Sequence, residues 1–161
     1  MHYQSQQGIT LIEVIVAVAI AGMLIGSIST LTVISVRVGA QTQTSVRALF
    51  LAQEAMEAVW SIRDETVWEE NGIGSFEVAQ EYYPLLLSDP PLWELGEGVE
   101  SIEQFTRSIM LEQVYRNAND DIAEMGTEDP DTRRVTVRVS WQGRNGEREE
   151  TLTAYITNWR E

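Results

Sequence analysis

GITLIEVIVAVAIAGMLIGSISTLTVISV, Gly8 to Val36, carries one charged side chain, Glu13, and none at all from Val14 to Val36. The hydrocarbon core of a bilayer, about 30 Å thick, takes about 20 apolar helical residues, so this run is long enough to cross one. A short segment, Met1 to Gln7, precedes it, and about 125 residues of mixed polarity come after. Two other readings compete. A buried core helix that is apolar all round would have to be wrapped on every side by a domain of this size. A cleaved secretory signal has an apolar stretch of about 7–15 residues, a basic front end and a small-residue cut site behind the stretch. Here the run is longer, its front holds no Lys or Arg, and Glu13 lies inside it.

Glu13 needs an explanation. A carboxylate near the end of a spanning helix costs about 2–4 kcal/mol, and such groups are rare, usually paired and functional by default. Either Glu13 sits at headgroup depth, where the cost fades, or it finds a positive partner in an assembled state. An amino group freed by a cut just upstream would be such a partner.

Gln6-Gln7-Gly8 followed by Ile9-Thr10-Leu11-Ile12-Glu13-Val14 and a long apolar run resembles the prepilin signature of type IV pilins and type II secretion pseudopilins. The resemblance extends from Gly8 to about Val36. It implies a leader, residues 1–8, removed by prepilin peptidase after Gly8, and methylation of the new N-terminal residue, Ile9. It also implies that Glu13, five residues past the cut, serves recruitment and register in assembly. Two features depart from the family pattern. Met1 to Gln7 has no Lys or Arg, only His2, although positive charge normally holds an N-terminus in the cytoplasm. Ile9 also stands where Phe, Met or Leu is more usual.

The whole chain, 161 residues, carries 25 acidic side chains against 11 basic ones, a net charge of −14, and every basic residue is Arg. Such a surface repels phosphate backbones, which argues against nucleic-acid binding. There is no Cys, hence no disulfide framework and no thiolate metal site. The sole His, His2, lies in the segment expected to be removed, which excludes a Ser-His-Asp triad and a His metal cluster. Without Lys there is no P-loop lysine and no Schiff base. Only carboxylate catalysis stays open, and with 25 acids accidental pairs are common. The sequence therefore reads as a non-enzyme with no cofactor and no metal.

Gly22 and Gly26 form a small-xxx-small pair in the apolar helix, which permits close approach of another helix. Ser27, Ser29, Thr30, Thr32 and Ser35 make its second half less greasy. Arg37 marks the end of the span, residues 9–36, and the soluble part runs over 37–161. The helix is predicted to continue from Ile9 to about Glu65, with Val46, Leu49, Phe50, Met56, Val59 and Ile62 as its buried stripe. Leu51 to Asp64 resembles the segment after the membrane helix in some minor pilins. Asn71 to Gly98 reads as irregular because Gly and Pro punctuate it, with a short strand over Gly74–Ala79. Its apolar residues between Tyr82 and Leu95 either cover the core or form a contact patch for a neighbouring subunit.

Phe105 to Tyr115 alternates like a strand, and Asn117 to Asp131 reads as a solvated acidic loop without EF-hand spacing. The last segment is a hairpin. Val135, Val137, Val139 and Trp141 alternate with polar residues, as do Leu152, Ala154 and Ile156, and Asn145-Gly146 is a type I′ turn signal. Centred on that turn, the register sets Val139 opposite Leu152, Val137 opposite Ala154 and Val135 opposite Ile156. The expected class is α+β: one long N-terminal helix, membrane-spanning in its first half, packed on a small antiparallel sheet, which is also the fold the resemblance implies. The expected role is a structural subunit of a type IV pilus-like filament, more a minor than a major one, with other pilin subunits, prepilin peptidase and the membrane as partners. It would sit in the cytoplasmic membrane, N-terminus inside, before joining an extracellular or periplasmic filament. A type II secretion pseudopilin and an uncleaved membrane-tethered binding module are the alternatives.

Overall fold

The computed structural model describes residues 10–144 and 146–159. One helix, α1 (Leu11–Glu65), leads through a 3-10 turn (Ile73–Ser75) into seven strands: β1 (Glu81–Ser88), β2 (Pro91–Glu97), β3 (Glu100–Ile102), β4 (Phe105–Arg116), β5 (Ile122–Ala123), β6 (Thr127–Gly143) and β7 (Gly146–Thr157). The chain divides between Gln43 and Thr44 into two compact units. The first is helical and apolar; the second holds the last turns of α1 and the whole sheet. This is the α+β class expected from the sequence, and α1 ends at the expected Glu65. Ile9, the expected first residue of the helix, lies outside the described residues.

No proline interrupts α1, and four hydroxyls of its apolar part bond within the helix. The hydroxyls of Ser27, Ser29, Thr30 and Thr32 donate to the carbonyls of Met23, Ile25, Gly26 and Ile28 at 2.9–3.0 Å. Back-bonding of this kind lets a hydroxyl sit in an apolar medium without an outside partner.

In the second unit α1 turns Ala48, Ala52, Ala55, Met56, Val59 and Ile62 toward the sheet, all buried. The sheet answers with Phe105, Ile109 and Leu111 from β4, Val135, Val137, Val139 and Trp141 from β6, and Ile156 from β7. The expected stripe is therefore half corrected. Met56, Val59 and Ile62 are buried, but Val46, Leu49 and Phe50 are 45%, 41% and 65% exposed. The helix is apolar on two faces, and the sheet takes the alanine face because its own bulky side chains fill the space between the layers.

All pairings are antiparallel, in the order β2-β1-β4-β6-β7, with β3 and β5 also on β4. The strand expected at Phe105–Tyr115 is β4, one residue longer. Asn71–Gly98 is more ordered than expected: β1 and β2 form a hairpin, Tyr82 opposite Glu97 through Ser88 opposite Pro91. The short strand expected at Gly74–Ala79 is absent, replaced by the turn at Ile73–Ser75, after which Phe76 packs edge-on against Tyr82 with ring centroids 5.3 Å apart. Punctuation misled here because Gly96 does not end a strand. A Cβ at Gly96 would lie 2.5 Å from the Tyr83 ring, so the glycine makes room for an aromatic across the pair.

Between Tyr82 and Leu95 the apolar side chains divide between core and surface. Tyr82 and Leu95 are buried and Trp93 packs on the core, while Leu85 and Leu86 stay exposed. The acidic loop is shorter than expected, because Thr127 already pairs with Arg116 and a register shift between Gln113 and Val114 absorbs the surplus residues of β6.

The β6–β7 hairpin forms with the expected face inward but with its register two residues away. Val137 lies opposite Leu152, Val135 opposite Ala154 and Val139 opposite Glu150. The pair that closes it is Gly143 with Gly146, so Arg144 and Asn145 connect the strands; Asn145 itself lies outside the described residues. Gly146 takes a φ of 116°, open to glycine and strained for other residues, as the first residue of β7 and not inside the turn. A two-residue slip preserves the side-chain faces, which is why burial alternation alone did not distinguish the two registers.

Candidate functional site: the apolar helix and its single acid

Glu13 lies in the first turn of α1, where its backbone N–H donates to the Thr10 carbonyl at 3.1 Å, and its side chain is exposed. A carboxylate at a helix N-terminus is favoured by the helix dipole. Its own helix offers it no counter-charge: from Thr10 to Val36 there is no other ionisable side chain. Glu13, Val14, Ala17, Val18 and Ala21 line an open groove of about 500 Å³. Ala17 and Ala21, four and eight residues on, form a small-residue ridge on the same face, and sequence reading missed it by attending to Gly22 and Gly26. The spacing of small residues from Glu13 was the available signal. A Cβ at Gly22 or Gly26 would meet nothing within 4 Å, so these glycines are not required by packing inside the chain. The helix is long and apolar enough to cross a membrane. Gly8 and Ile9, the expected cut and methylation positions, lie outside the described residues.

The remaining acids that meet arginines serve the fold. Arg134 binds Glu112 through two hydrogen bonds, at 2.7 and 2.9 Å, and holds its carboxyl below the usual range. Burial pushes Asp129 up, but hydrogen bonds from Arg116, at 2.7 Å, and Thr132 outweigh it and leave the group lowered. Burial raises the Tyr82 hydroxyl, which donates to the Glu77 carbonyl at 3.1 Å. In the acidic loop Asn117 Oδ1 accepts from the N–H groups of Asn119 and Asp121, a local turn. Among the described residues no three His, Asp or Glu side chains stand together as metal ligands.

A single helix of spanning length with one acid in its first turn, running into an antiparallel sheet, makes this an α+β protein among its described residues, and its apolar segment fits a membrane anchor. Residues 3–29 match the family described as the prokaryotic N-terminal methylation motif, the signature of type IV pilins and pseudopilins. The match ends at Ser29, before the second unit begins at Thr44. No curated protein and no solved structure matches the chain.

Proposed function

We propose that this chain is a structural subunit of a type IV pilus-like filament, a minor component made as a precursor. Residues 1–8 are its leader, 9–36 its membrane span and later its filament-core helix, and 37–161 its soluble domain. Prepilin peptidase cuts after Gly8 and methylates Ile9. Before assembly the helix is anchored in the cytoplasmic membrane with its N-terminus inside. During assembly it leaves lipid for a bundle of like helices in an extracellular or periplasmic filament.

The observation that carries this reading is Glu13: the only ionisable group of the apolar run, five residues past Gly8, on the same face as Ala17 and Ala21. A buried charge is tolerated when paired and expensive alone. Paired with the Ile9 amine of a neighbour it stabilises one axial register and penalises others. The alanine ridge beside it lets the neighbour's backbone come near. A type II secretion pseudopilin uses the same anchor and the same pairing in a different machine. The match at residues 3–29 supports either.

Two measurements test the proposal. Mass spectrometry of the processed protein should find a chain starting at methylated Ile9; a working protein that keeps Met1–Gly8 would be a tethered module instead. Glu13→Gln should insert into membranes as before but enter sheared filaments at least tenfold less, the order of effect of losing a pair worth about 1.4 kcal/mol or more. Undiminished incorporation of the variant refutes the role given to Glu13.

A further inference from the structure

Within the second unit α1 is apolar on the side away from the sheet as well as toward it. At 100° per residue, Val46, Leu49, Phe50, Glu57 and Trp60 fall within about 100° of one another, roughly opposite Ala48, Ala52, Ala55 and Val59. The four apolar members are 41–65% exposed. A helix with two apolar faces is normally covered on both, and the described residues cover one.

Charge selects the cover. Glu57 sits exposed in the middle of the far face, and that face holds no basic residue from Thr42 to Asp64. The nearest arginines lie on its flanks and are engaged: Arg47 binds Glu103 at 2.7 Å and Arg63 binds Asp64 at 2.8 Å. A second copy, parallel and at any axial shift along this face, therefore brings apolar residues and another acid toward Glu57, but no cation. The net charge of −14 adds repulsion between copies. We infer that the Val46–Trp60 face is covered by an α-helix of a different subunit that carries Lys or Arg opposite Glu57, and not by a second copy of this chain. The inference rests on the filament-subunit reading and deepens it: this chain enters a filament beside unlike neighbours.

The absence of cysteine makes the test clean. Phe50→Cys gives a unique attachment point at an exposed position, and a copy that also carries Glu57→Lys serves as the basic helix. The full chains, in detergent micelles, are treated with a bifunctional maleimide: F50C alone, F50C/E57K alone, and an equal mixture with one partner tagged for size. The mixed dimer is expected at three times the yield of the F50C homodimer or more at low salt, with the excess lost at high salt. Tryptophan fluorescence checks that the variants keep their fold, since all five tryptophans lie in the second unit. Equal yields from F50C alone and from the mixture overturn the inference, because a second copy then takes the face unaided. A mixture no better than either variant alone overturns it too. A mature chain that does not start at Ile9 counts against the filament reading and leaves the charge-selected pairing standing, so the two failures are distinguishable.

Discussion

Arg107 joins α1 to the sheet, and its removal is the perturbation whose size the geometry best constrains. Its side chain is 3% exposed. Nε and Nη2 donate to Glu100 Oε2 at 3.0 and 2.5 Å, Nη1 donates to the Leu51 carbonyl at 3.0 Å, and Nη1 also lies 3.5 Å from Glu54 Oε2. One guanidinium thus ties β3 and β4 to one turn of α1. Removing one partner of a fully buried pair costs about 3–5 kcal/mol. Glu100 and Glu54 keep 31% and 50% of their side-chain exposure, so both rehydrate once abandoned. That places Arg107→Ala at the low end, about 3 kcal/mol. Arg107→Met restores the stem, at about 0.8 kcal/mol per methylene, and mainly removes the second donor of the Leu51 carbonyl, whose helical bond within α1 remains, for a loss of about 1–2 kcal/mol. A domain of this size loses about 4 °C of Tm per kcal/mol, so the expected falls are about 12 °C and about 6 °C. Thermal unfolding of the full chain in detergent, followed by tryptophan fluorescence, reads the second unit selectively. An alanine variant within about 1 kcal/mol of the parent, or no worse than the methionine variant, would refute the clamp.

Acid should weaken the second unit through Glu112 and Asp129. Both have lowered folded-state pKa values, so their contribution is full above the unfolded carboxylate range near 4 and is lost as pH falls through the folded values. Glu112→Gln combined with Asp129→Asn should lower Tm at pH 7 and flatten the fall of Tm below pH 4; an unchanged acid slope assigns the loss to other groups. Gly126 answers to its backbone surroundings. A Cβ there would lie 2.0 Å from the Arg116 carbonyl oxygen, which cannot swing away as a side chain can, so Gly126→Ala should cost about 2–3 kcal/mol by denaturant unfolding. Gly98→Ala, with positive φ but open space around the new Cβ, should cost about 1 kcal/mol.

How far each element could be read from the sequence depends on whether its signal is local. The length of α1 was legible because a long run without proline, apolar and then amphipathic, has few other readings. The class was legible because β4, β6 and β7 alternate cleanly. Which face of α1 the sheet covers was not legible. Val46, Leu49 and Phe50 are more apolar than Ala48, Ala52 and Ala55, yet they lose the interior, since the space between the layers is filled from the sheet side by Phe105, Ile109, Leu111 and Trp141. That competition is tertiary and leaves no mark on the helix alone. The β1–β2 hairpin was hidden because its glycine serves a cross-strand tyrosine. The hairpin register was hidden because a shift of two residues changes no face. At the candidate site, Glu13 stood out because nothing else in its run is charged; Ala17 and Ala21 did not, because alanine is ordinary in any helix.

The same contrast bears on how a helix can serve two surroundings. The hydroxyls of Ser27, Ser29, Thr30 and Thr32 are bonded within α1, so moving them from lipid to a protein bundle changes little in their free energy. The apolar side chains are also nearly indifferent, since lipid tails and neighbouring helices are alike to them. Only Glu13 has a demand that its own helix cannot meet. Under the proposed function, a transfer that is close to neutral everywhere else would be governed by one group, Glu13, which would then switch assembly without making the anchor unstable. Adding a second acid on the same face, Ala21→Glu, should break this balance. The variant should lose membrane insertion as well as assembly, whereas Glu13→Gln should lose assembly alone. Fractionation of membranes and sheared filaments separates the two, and a variant Ala21→Glu that inserts normally would show that the apolar run tolerates charge more freely than this balance requires.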